Sequence, residues 1–246
     1  MSTVLDSNKT IGQIVKDDFR TAEVFKKSGI DFCCGGKITI AEACEKHNLN
    51  KDELISSLEA TLSRESGSNA QNFKDWEPDF LANYIVNVHH KYVNDNLSLL
   101  YEFTQKIAYV HGENHPELHK VAENYAAVAQ ELNNHMMKEE RILFPYITQL
   151  YASYKKKEPA AESPFGSIRN PIRMMEMEHD NAGGLLKEMR EITNNYTLPP
   201  GACNTYTVTF KKLDEFENDL HQHIHLENNI LFPRAIEIED EMQGGK

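Results

Sequence analysis

Cysteine is scarce in this 246-residue chain. Its four thiols, Cys33, Cys34, Cys44 and Cys203, are too few and too clustered to staple a secreted fold, so free thiols are the expectation. Strand signals are nearly absent, which points to an all-α chain. No apolar run approaches the roughly 20 residues that a membrane-spanning helix requires. The opening stretch MSTVLDSNKT lacks the basic and apolar regions of a signal peptide, so a soluble, cytoplasmic protein with no membrane partner is expected. Positive charge is also short: 26 Lys and Arg face 38 Asp and Glu, a net charge of −12, which excludes a protein that coats phosphate backbones. What is present is ample core material. With 40% hydrophobic residues, the chain suits one large domain, or a moderate one with a small appendage.

Two pieces emerge along the chain. Residues 1–66 carry short helical signals: Thr10 with Gln13 and Thr39 with Glu42 as capping boxes, Asn50 before Lys51-Asp52-Glu53, and Gly29 as a helix stop. The small, polar residues 67–76 read as a linker. A second domain, residues 77–240, opens with Pro78 in the first turn of a helix. Four helices are expected there. The first carries His90. The second starts after His115-Pro116 and runs past His135 and Glu139 to a kink or break at Pro145. The third, from Pro171, carries His179, and the fourth carries His223 and Glu227. The loop YKKKEPAAESPFGS separates the two halves.

The fourth and second helices share a pattern. Residues 135–145 read HMMKEERILFP and residues 223–233 read HIHLENNILFP, so H-x3-E-x3-L-F-P occurs twice, 88 residues apart. Histidine and glutamate four apart stand on one helical face, and each copy therefore projects an imidazole and a carboxylate in one direction. His90 lies 45 residues before His135 and His179 lies 44 before His223, so each half supplies a lone His and an H-x3-E helix. A single His on an apolar face is usually a core residue. Two registered pairs, each with a lone His at a matched distance, need another explanation, and four His with two Glu suit a non-haem iron pair better than thiolate-rich structural zinc. The expected ligands are His90, His135, Glu139, His179, His223 and Glu227. The two glutamates would be shared as bridges beside a solvent oxo or hydroxo bridge, with positions left for a small ligand. Bundle cores host such sites. Glu131 and Asp219, one turn before His135 and His223, are candidates to hold the ligating rings or to route protons, with Glu178 a weaker one. The other seven histidines, His47, His89, His111, His115, His119, His221 and His225, are expected at solvent or helix ends. The methionines at 136, 137, 174, 175, 177 and 189 are expected as core filling, and Lys155–Lys157 as a solvated loop.

Ile30-Asp-Phe-Cys-Cys-Gly-Gly-Lys37 puts two vicinal thiols in a turn before the capped helix at 39. Nearby helix N-terminal N–H groups are expected to favour thiolate there. Cys33 and Cys34 are candidate functional thiols, too few for a four-cysteine zinc site even with Cys44. Cys203 is expected to be inert.

Taken together, DFCCGGK at 31–37, HMMKEERILFP, MEHDNAG at 177–183 and HIHLENNILFP resemble, in order, the motifs of the iron-sulfur cluster repair di-iron proteins. These join a short Cys-Cys-Gly-Gly domain to a hemerythrin-like, up-down four-helix bundle. The resemblance covers nearly the whole chain. It implies the same six ligands, and a cytoplasmic stress-response protein that restores iron-sulfur clusters damaged by nitric oxide or oxidants. Two mechanisms fit: iron donation to damaged or apo clusters with help from Cys33 and Cys34, or reduction of nitric oxide to nitrous oxide with Glu131 or Asp219 as proton route. A reversible oxygen or nitric oxide sensor or carrier, and a peroxide-consuming ferritin-like protein, are the competing classes. The Cys-Cys-Gly-Gly module argues against the sensor. A homodimer is left open.

Overall fold

The computed structural model describes residues 8–63, 72–159 and 163–244. Residues 67–71 of the expected linker and residues 160–162 of the long loop lie outside the described residues. Two compact units are distinguished: Met1–Glu77 with Ile224–Arg234, and Pro78–His223 with Ala235–Lys246. The described residues are helical and hold no β-strand beyond an isolated bridge from Thr10 to Thr39. Among them, no helix is long and apolar enough to cross a membrane.

In the first unit, α1 (Ile11–Asp17) and α3 (Ile40–His47) begin as read from the sequence. Thr10 and Gln13, then Thr39 and Glu42, form reciprocal capping boxes that satisfy N–H groups left open at each helix start. Helix α2 (Ala22–Lys27) stops at Gly29, whose φ of 70° is a conformation that favours glycine. Helix α4 (Lys51–Ser63) opens on Asn50, whose side chain accepts from the Asp52 N–H at 3.0 Å. Ile11, Val15, Phe25, Ile40, Leu54 and Leu58 fill the core between them. The turn after Cys34 is tied to α1 by the Gly12 N–H donating to the Gly36 carbonyl at 2.8 Å.

The second unit contains the long helices, except for Ile224–Arg234 of the last one, which groups with the first unit. Helix α5 runs through Pro78–Tyr84, a π turn at Ile85–His90, and Lys91–His111. Helix α6 runs through Glu117–Lys138, a π turn at Glu139–Leu143, and Phe144–Lys156. Helix α7 is Arg169–Ile192, and α8 runs through Asn204–Leu226, a π turn at Glu227–Leu231, and Phe232–Gly244. Helix α6 packs against both α5 and α7. The short connection from His111 to Glu117 makes α5 and α6 antiparallel neighbours. Pro145 does not break α6. The preceding π turn absorbs it, and Pro145 sits at the start of the next α segment. Core filling by methionine holds for Met136, Met175 and Met189, whereas Met137, Met174 and Met177 are exposed.

Candidate metal centre

The helices put the six histidine and glutamate side chains where their spacing predicts. His90, His135, Glu139, His179, His223 and Glu227 are all 0 to 2% exposed. They fall into two overlapping sets, each with donor atoms within 4.8 Å of one another: His90, Glu139, His223 and Glu227, and His135, Glu139, His179 and Glu227. Both glutamates belong to both sets. Each histidine belongs to one, and each set takes one histidine from each half of the repeat.

The donor chemistry fits a cation. His90 and His223 face each other through Nε2 at 3.1 Å, and His135 and His179 at 2.9 Å. Glu139 Oε2 lies 3.4 Å from His90 Nε2 and 3.2 Å from His135 Nε2. The opposite nitrogen of His90 donates to Glu140 Oε1 at 2.8 Å, and that of His135 to Glu178 Oε2 at 2.9 Å. A neutral imidazole protonated at Nδ1 keeps its lone pair at Nε2. His90 and His135 thus aim their Nε2 lone pairs at the buried Glu139 carboxylate, an arrangement that repels in an apolar interior unless a positive charge sits among them.

The carboxylates behind the rings differ from those expected. Glu131 is exposed on α6, and the place on His135 Nδ1 is taken by Glu178 of α7. The hydrogen bond from His135, reinforced by Lys138, holds Glu178 down at about 2 against the upward push of burial. Asp219 pairs with His89, not with the ring one turn on: its Oδ1 accepts from His89 Nδ1 at 3.0 Å. His89 therefore corrects the reading that set it at solvent. It is buried and stacks on His223 at 5.7 Å between ring centres. Glu140, the partner of His90, had no signal beyond its place beside Glu139. His225 was also read as a boundary residue, but it is buried against Phe19 and Phe32, with Asn229 on its Nδ1. Burial, with a smaller push from Lys16, lowers it to about 3.

The thiols behave differently from the sequence expectation. Cys33 is buried and Cys34 half-buried, and their sulfurs lie 3.7 Å apart. The hydrogen bond with Cys34, then burial and the Asp31 carboxylate, push the Cys33 thiol well up, so thiolate is disfavoured there. Cys203 is exposed, with its Sγ 3.1 Å from His111 Nε2.

A helical bundle whose core gathers four histidines and two glutamates into overlapping sets able to hold a cation is a hemerythrin-type architecture. The family model for the hemerythrin HHE cation binding domain matches residues 81–235. The ScdA_N model, a domain of unknown function (DUF542), matches residues 7–62. Over 232 residues the chain is 37% identical to the iron-sulfur cluster repair protein YtfE of Pectobacterium atrosepticum, covering 93% of this chain and 97% of that one. It is 36% identical, with the same coverage, to the YtfE proteins of Pectobacterium carotovorum and Yersinia pestis. The chain belongs to this family of hemerythrin-type iron-sulfur cluster repair proteins.

Proposed function

We propose that this protein repairs iron-sulfur clusters damaged by nitrosative or oxidative stress, using two iron ions held in the bundle. In this reading His90 and His223 would hold one ion and His135 and His179 the other, with Glu139 and Glu227 available to both. The observation that carries it is the pair of facing imidazoles on either side of a shared, fully buried glutamate. Residues 1–66, joined by 67–76 to a bundle of 77–240, would carry the thiols Cys33 and Cys34. Damaged or apo iron-sulfur proteins in the cytoplasm would be the clients.

When bound, the iron pair supplies transferable iron, redox chemistry and room for a small ligand such as nitric oxide or oxygen. The protein's own residues prepare that site. Glu140 and Glu178 take the Nδ1 protons of His90 and His135 and so fix the tautomers that offer Nε2. Phe144, stacked at 5.7 Å on His90, covers that ring with apolar surface. The His89 and Asp219 pair stands beside His223 as a hydrogen-bonded group able to hold a proton.

Metal analysis with Mössbauer spectroscopy on anaerobically purified protein tests the centre. Two magnetically coupled irons per chain are expected, and they should be lost in a Glu139→Ala, Glu227→Ala double variant. Zinc, or one uncoupled iron, would refute the bridged pair. Iron retained in the presence of an apo-cluster acceptor would then exclude donation. Absence of nitrous oxide from reduced protein given nitric oxide would exclude reduction.

A further inference from the structure

The turn that carries Cys33 and Cys34 has a geometry that the bundle chemistry does not use. The backbone N–H groups of Cys33 and Cys34 both donate to Asp31 Oδ1, at 2.9 and 3.0 Å. This Asx-type turn closes the loop on its own aspartate. The donor atoms of Asp31, Cys33 and Cys34 then lie within 4.8 Å of one another.

The spacings match a metal polyhedron. The two sulfurs are 3.7 Å apart. Two Zn–S bonds of about 2.3 Å at a tetrahedral angle put sulfurs about 3.8 Å apart. Cys33 Sγ is 3.2 Å from Asp31 Oδ1, the length of the hydrogen bond it makes there. The sulfur-to-oxygen edge of a tetrahedral zinc site is about 3.6 Å, so only a few tenths of an ångström separate the two states.

The turn is also held from behind. The Cys33 carbonyl accepts from the side-chain amides of Asn228 at 3.3 Å and Asn229 at 3.4 Å. A Cβ on Gly36 would collide with the Phe32 carbonyl and press on the Gly12 backbone, so the loop is seated closely. Asp31 is exposed and Cys34 half-buried, so two of the three donors can be reached from solvent, with Cys33 buried beside them. Donors fixed by their own supporting contacts are what a binding site requires.

We propose that Asp31, Cys33 and Cys34 form a second metal site, for a thiophilic divalent ion of the zinc class, with two thiolates, one carboxylate and an open fourth position. Three protein ligands with one position free is the pattern of sites that exchange a ligand, whereas structural zinc sites close all four. On binding, the ion forms bonds to both sulfurs and to the carboxylate, and the two S–H protons leave to solvent, so affinity rises with pH. The soft donor set differs from the imidazole and carboxylate set of the bundle, and one chain can therefore sort two kinds of ion.

The test is a cadmium(II) titration of full-length, metal-stripped, reduced protein under anaerobic conditions. A sulfur-to-cadmium charge-transfer band saturating at one ion per chain is expected. It should be lost in Cys33→Ser and in Cys34→Ser, and kept in the Glu139→Ala, Glu227→Ala variant, which separates this site from the bundle. In the wild type, cadmium should protect Cys34 from N-ethylmaleimide while the exposed Cys203 reacts as before. Cadmium bound without the band, a band that survives both serine variants, or Cys34 alkylated equally with and without cadmium would overturn the proposal.

Discussion

Glu140 gives the sharpest test of how the centre is held. Its Oε1 accepts from His90 Nδ1 at 2.8 Å, and Glu140→Ala removes this hydrogen bond behind the ring while leaving every proposed ligand in place. Loss of a carboxylate behind a metal-binding histidine weakens metal affinity by about 10- to 100-fold. That corresponds to about 1.4 to 2.7 kcal/mol. Iron should therefore leave the variant about 10 to 100 times more readily, and from one position of the pair first, because His90 belongs to only one of the two sets. Release into a ferrous chelator, followed by absorbance and by Mössbauer spectra during partial release, measures both effects. Glu140→Gln keeps an acceptor but no charge, so it should recover most of the loss if ring orientation is the cause. Glu131→Ala is the control, since Glu131 is exposed and should change nothing. Wild-type release from Glu140→Ala together with fast release from Glu131→Ala would refute the reasoning.

Three other outcomes are expected. His225 is neutral in the fold, held at about 3 mainly by burial, while the unfolded chain takes up the proton near pH 6.5. The unfolded state therefore binds more protons as pH falls through that window, so stability should drop by up to about 1.4 kcal/mol per pH unit between pH 6.5 and 3. Denaturant unfolding against pH should show this slope, and His225→Phe should flatten it; an unchanged slope would assign it to other groups. Glu217, buried, accepts from Arg190 Nε at 2.8 Å and from the Tyr196 hydroxyl at 3.0 Å. Glu217→Ala should cost about 3 kcal/mol by leaving that arginine short of a partner. A thermal midpoint lowered by about 6 to 12 °C is the readout, and a shift under about 2 °C would contradict it. Gly36→Ala should destabilise the first unit by about 2 kcal/mol or more through overpacking, seen as faster proteolysis within residues 8–63; wild-type resistance would mean the loop yields.

Four candidate ligands, His135, Glu139, His223 and Glu227, were legible from local geometry, and His90 and His179 from their matched spacing in the repeat. Two residues four apart on a helix share a face whatever the rest of the fold does, and the repeat marked which pairs to trust. The groups behind them were not legible, because they lie across helix interfaces. Glu131 is the right distance from His135 along α6, yet the Nδ1 of His135 reaches Glu178 on α7, a neighbour set by packing. His89 escaped for another reason: it belongs to no repeated pattern, and adjacent positions on a regular α-helix point about 100° apart, so a place beside His90 does not signal burial. Both rings are buried because they lie in a π turn, where an extra residue changes the register. The thiols were misjudged by weighing helix ends and overlooking the carboxylate two residues before Cys33. In this turn the nearby N–H groups go to Asp31, and the sulfur is left beside a negative charge.

The π turns also explain the L-F-P that made the repeat visible. Each H-x3-E pair ends on a glutamate that begins a π turn, Glu139–Leu143 and Glu227–Leu231. In each the closing bond runs five residues back, from the Phe144 N–H to the Glu139 carbonyl and from the Phe232 N–H to the Glu227 carbonyl. The next residue is Pro145 or Pro233, which has no N–H to give. Within a regular ladder such a proline would remove a hydrogen bond and press its ring on the carbonyl four residues back. After a widened turn it falls where the α pattern restarts, the first-turn position that tolerates proline. The motif thus has two parts with separate physical causes. His and Glu, four apart, aim donors at a common point, and Leu-Phe-Pro marks where the helix widens just beyond the glutamate and then resumes. A third π turn, at Ile85–His90, bears the lone histidine of α5, so widened turns recur where this chain sets its donors. Short π segments are uncommon and concentrate at functional sites, where a local departure from the ladder re-aims a side chain. The same departure hides His89 from a simple helical projection and lets α6 and α8 pass through a proline without ending.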